Sequence, residues 1–157
     1  MIRIPALLMA ASALLGATVA QPAAPSPPPA GDFAVHMVVA RARVYAEACS
    51  AKNPRLKEDF DRAIAELGAR VDAVAKPLLA SGKYKALASL PLPAEVTEVV
   101  ATSIDALREQ ISDAGASTDC PAYLAKIATL KGEALQSSIT QALDAMQEAL
   151  VNHGPLQ

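Results

Sequence analysis

From residue 32 onward the apolar side chains recur at intervals of three and four, and no stretch alternates in steps of two. That spacing lines up one face of a 3.6-residue helical turn, whereas a strand would need alternation. The chain is therefore expected to be all-α. Each apolar stripe must be covered by another, so several amphipathic helices have to pack together.

Four stretches carry such stripes. Over residues 32–50, Phe33, Ala34, Met37, Val38, Val44, Tyr45, Ala48 and Cys49 share a broad face, opposite Asp32, His36, Arg43, Glu47 and Ser50. The run "KNPRLKEDF" then offers a stop and a restart, with Asn53 expected as N-cap and Pro54 at the first helical position, where its missing N–H costs nothing. The second stretch carries Leu56, Phe60, Ala63, Ile64, Leu67, Val71, Val74 and Leu78, and Pro77 is expected to kink or end it. The third, near residues 94–114, presents Val96, Val99, Val100, Ile104, Leu107 and Ile111 and closes at Gly115.

The fourth stretch opens at Cys120-Pro121 and carries Leu124, Ile127, Ala128, Leu135, Ile139, Ala142, Leu143, Met146 and Leu150, with Gly132 the natural place for a bend. Short connections between these stretches predict an antiparallel up-down four-helix bundle over residues 32–153. Aromatics are only 3% of the chain and Trp is absent, so the core has to be built from Leu, Val, Ile and Ala.

Ahead of the bundle, "MIRIPALLMAASALLGATVA" has a positive start at Arg3, an apolar run over residues 6–19 and a small-residue ending. This is the layout of a secretory signal peptide, residues 1–20, and the run is short of the roughly 20 residues a spanning helix needs. Residues 21–31, "QPAAPSPPPAG", hold five prolines and read as an extended, solvated, disordered tether. The expectation is an exported protein, periplasmic or secreted, with no membrane span once the signal is cleaved.

Export changes what the two cysteines mean. In an oxidising compartment an even pair more often forms a bridge than two free thiols. Cys49 lies in the last turn of the first helix and Cys120 in the first turn of the fourth, ends that share a pole in an up-down bundle. A Cys49–Cys120 disulfide is therefore expected, with Tyr45 and Tyr123 packed around it. Closing a loop of 71 residues contributes about 4 kcal/mol in the chain-entropy picture.

Few other residues carry chemistry. Arg41 is the charged residue inside the apolar arc of the first helix; it reads as an anion or partner contact, or as a rim arginine whose stem packs while its head reaches water. His36 falls on the polar face. Met37 and His153 sit at the two ends from which periplasmic four-helix haem proteins take axial ligands, an analogy of placement alone, with no Cys-x-x-Cys-His motif beside it. Carboxylates such as Asp59, Asp61 and Glu66 read as a solvated helix face.

The sequence holds no Cys/His cluster at metal spacing, no Gly-rich phosphate loop and no nucleophile–base–acid set. A net charge of −2 supplies no basic surface for nucleic acid. No cofactor or metal is expected. The functional expectation is a non-catalytic binding or structural protein with a protein or small-molecule partner, and the second reading is a carrier of an apolar small molecule or haem between helices.

Overall fold

The computed structural model describes residues 26–80, 82–113 and 119–153. The expected signal peptide, the first part of the expected tether and the expected stop at Gly115 lie outside the described residues. Among those described the protein is helical throughout, with α1 at Ala30–Lys52, α2 at Lys57–Ala80, α3 at Ala94–Asp113, α4 at Cys120–Thr129 and α5 at Gly132–His153. Two 3-10 helices, Pro54–Leu56 and Gly82–Ala88, stand before and after α2.

The helix α1 packs against α2, α3, α4 and α5. Its buried residues include Ala34, Val35, Ala42, Val44, Ala46 and Cys49. Val44 lies two positions from both Ala42 and Ala46, hence nearly opposite them round the helix. The single apolar face expected here is thus replaced by burial on more than one side, which follows from having neighbours on more than one side. Small side chains suit that position because they let the surrounding helices approach.

At its start α1 reaches closest approach. A Cβ on Gly31 would lie 2.6 Å from Leu79 Cδ2 and 3.2 Å from the backbone carbonyl carbon of Leu87. Glycine is needed there for room, not for backbone freedom. Just before it, the Ala30 N–H donates to the Leu90 carbonyl at 2.8 Å and the Leu92 N–H to the Pro28 carbonyl at 3.3 Å. Ala30 and Gly31, read from sequence as tether, therefore belong to α1, and residues 28–30 are tied to the connector ahead of α3.

In α2 Phe60, Ala63, Ile64, Leu67 and Val71 of the expected stripe are buried together with Ala75, while Val74 and Leu78, and Leu56 in the 3-10 helix before it, are half-buried. The helix continues through Pro77 to Ala80. Proline removes one backbone donor, and Leu78 and Leu79 beyond it still pack against the core. At the α1–α2 junction Asn53 makes no side-chain cap; instead its backbone N–H closes the end of α1 on the Cys49 carbonyl at 2.9 Å. The restart comes through Pro54 in the 3-10 turn.

The third helix contacts α1 and α5. Val96 and Ile111 are buried, whereas Val99 is 61% exposed, which corrects its place in the buried stripe. The fourth expected stretch divides into α4 and α5 at Leu130 and Lys131. Gly132, at φ +58°, supplies the left-handed turn from which α5 starts. Five helices thus stand where four were expected.

Candidate functional site

The region richest in side-chain chemistry surrounds α4. Asp119 caps its start, accepting the Ala122 N–H on Oδ1 at 3.0 Å, and Pro121 occupies the first turn where no donor is required. This places Cys120 beside the end of α1, and the Cys49–Cys120 disulfide joins the two helices with Cα atoms 5.6 Å apart. Both cysteines are covered, Cys49 at 1% and Cys120 at 8% exposure.

One turn from each cysteine stands a tyrosine. The Tyr45 and Tyr123 rings lie 4.9 Å apart between centroids, and Phe60 of α2 adds a third ring 6.4 Å from Tyr123. Few aromatics are present in the chain, and three of them gather here. Burial, with the neighbouring Tyr45 a smaller cause, pushes the Tyr123 hydroxyl up to about 12.

The other end of α4 is held by a charge. Arg70 of α2 donates from Nη2 to the Ile127 carbonyl at 2.9 Å and from Nη1 to the Ala128 carbonyl at 3.2 Å. A guanidinium at a helix C-terminus satisfies carbonyls that the last turn leaves open and opposes the negative end of the macrodipole. Its Nε is buried with no hydrogen-bond partner among the described residues.

A separate polar group fixes the 3-10 helix 82–88 onto α5. Tyr84, 5% exposed, donates its hydroxyl to Asp144 Oδ1 at 2.8 Å, and Lys83 Nζ lies 2.7 Å from the same oxygen. Gln147 donates to the Lys83 carbonyl at 2.9 Å. The hydrogen bond from Lys83, then that from Tyr84, holds the Asp144 carboxyl below its ordinary range.

The residues singled out from sequence are dispersed. Arg41 is exposed on a flank shared with half-buried Met37, Val38, Tyr45 and Ala48, and no carboxylate lies within ion-pair distance of it among the described residues. Met37 is half-buried near the start of α1, and His153 is the last residue of α5, its side chain outside what is described. His36 is exposed, its Nδ1 2.7 Å from the Asp32 carbonyl oxygen. Asp59 and Asp61 pair with Arg62 and Lys57 on the exposed face of α2, the solvated arrangement expected of them.

Two open grooves run between α1 and α2. One, of about 410 Å³, has Val35, Ala75 and Leu79 in its lining and Asp32, His36, Asp72 and Lys76 as its polar groups. The other, of about 440 Å³, is lined by residues that include Arg43, Glu47, Lys57 and Asp61. Among the described residues no group of three or more His, Cys, Asp or Glu side chains is placed to hold a metal ion, and no helix is long and apolar enough to cross a membrane.

Arg70 and the Tyr84–Asp144 pair are the contacts that reading the sequence did not find. Each joins residues about sixty positions apart, and only Arg70's place beside the apolar Val71 in the second stripe hinted that its head must turn toward a partner. Comparison with known proteins found no match: no family model fits the chain, and no curated protein or solved structure is similar to it.

Proposed function

We propose that this is an exported helical domain, its helices in antiparallel up-down order, which acts by binding or structural contact and not by catalysis. The observation that supports contact most directly is on α3. Val99 is 61% exposed, with Val100, Ile104 and Leu107 half-buried beside it, so this helix keeps a run of apolar side chains at the surface, whereas α5 exposes the single large apolar residue Val151 near its end. The disulfide and the signal-like N-terminus support export.

The groove of about 410 Å³ between α1 and α2 favours a second reading, the carrier of an apolar small molecule. Haem between Met37 and His153 is the special case of that reading. Native mass spectrometry of the protein purified from its own host separates the two. A co-purifying protein supports contact, retained ligand mass supports the carrier, and an absorbance scan after haem addition with no Soret band removes haem.

A further inference from the structure

We propose that α4 is a separately fastened latch whose attachment follows the redox state of Cys49 and Cys120, while α1, α2 and α5 keep their fold without it. At 10 residues α4 is shorter than the roughly 12 to 15 an isolated helix needs in water. It buries Cys120 and Ile127 fully, with Tyr123 and Leu124 half-buried. The helices α1, α2 and α5 also pack directly on one another, although α4 adds Cys120 and Ile127 to the shared core and its Tyr123 lies 6.4 Å from Phe60 of α2.

Two long-range fastenings compensate for that small buried surface. The disulfide holds the first residue of α4 to α1, and Arg70 holds the carbonyls of its last turn to α2. Because the sulfurs are 1% and 8% exposed at the residue level, a reductant reaches them only when α4 lifts. Opening of α4 therefore governs the breaking of its own covalent fastening.

In that step the thiolate of a dithiol reductant attacks one cysteine sulfur, the S–S bond breaks, and the other cysteine leaves as a thiolate that takes up a proton. The second thiol of the reductant then displaces the first cysteine, giving two cysteine thiols and the oxidised, cyclic reductant. Packing of Tyr123, Leu124 and Ile127 and the two Arg70 hydrogen bonds are then all that hold α4.

Hydrogen-exchange mass spectrometry on the full chain, before and after reduction with dithiothreitol in native buffer, tests this. Peptides spanning residues 120–129 are expected to exchange faster after reduction, by a factor roughly tenfold or more greater than the rise in peptides of α1, α2 and α5. An equal rise in α5, or no rise in α4, overturns the proposal. In the oxidised protein, Arg70→Met is expected to speed thiol release several-fold; an unchanged rate means that α4 does not guard the bond. Should that variant fail to fold, the exchange experiment on the unmodified chain decides alone.

Discussion

The helices α4 and α5 arise from one apolar stretch of sequence, yet they are held in place by different means. α5 presents Leu135, Ile139, Leu143, Met146 and Leu150 at steps of three and four, all buried, and needs little else. α4 buries far less and is fixed by a covalent bond at one end and a guanidinium at the other. The contrast shows that apolar patterning secures a long helix, whereas a short one in the same chain relies on a few specific bonds to distant residues.

The largest effect that bears on this contrast is expected in α5. Leu143→Ala removes a fully buried side chain and should cost about 2 to 5 kcal/mol, read as a fall in the urea midpoint. Ile127→Ala in α4 should cost less than half as much globally, because α4 opens locally first. Equal losses at the two sites would break the comparison.

Next in size is the covalent fastening itself. Replacing Cys49 and Cys120 together by Ser should lower stability by about 2 to 4 kcal/mol, also measured by urea unfolding. Gly132→Ala comes below that, at about 1 kcal/mol, because Ala must adopt the positive φ that starts α5 while nothing lies within 4 Å of the added Cβ. The same substitution at Gly31 meets no backbone strain but crowds Leu79 and the backbone of Leu87, and a thermal melt should show a larger loss there than at Gly132.

The smallest effect is electrostatic and sits at the aromatic cluster. Burial raises the Tyr123 hydroxyl from 10.0 to about 12, so the protonated ring is the form the fold favours. The stability it contributes is intact below pH 10 and is lost as pH rises through about 12. Tyrosinate absorbance should show a component titrating near 12 in the folded protein that moves to about 10 on denaturation; no component above 10 in the folded protein would remove this point.

Much of the helical content was readable because it depends on local periodicity. The stripe of α2, the buried positions of α5, the start at Cys120-Pro121 and the break beside Gly132 all follow from residues close in sequence. What stayed hidden depends on how many neighbours a helix has. Val99 reads as core on a wheel but is exposed, because α3 has partners on fewer sides than α1.

Arg41 shows the same limit from the opposite direction. It lies within an apolar arc by spacing, yet the flank it shares with Met37, Val38 and Tyr45 is only half-buried, and Arg41 reaches solvent. The Arg70 and Tyr84 contacts were out of reach for another reason: a side chain that bonds to a backbone carbonyl or carboxylate about sixty residues away leaves no local pattern. The cysteine pair was the exception among distant contacts, since cysteine chemistry names its own partner when only two are present.

The fastening of α4 to α1 is tested most directly by peptide mapping of the unreduced protein isolated from an exporting host. One species joining the peptide that contains Cys49 to the peptide that contains Cys120, split only by reductant, is the expected result. Two free thiols in the folded, exported chain would contradict the account.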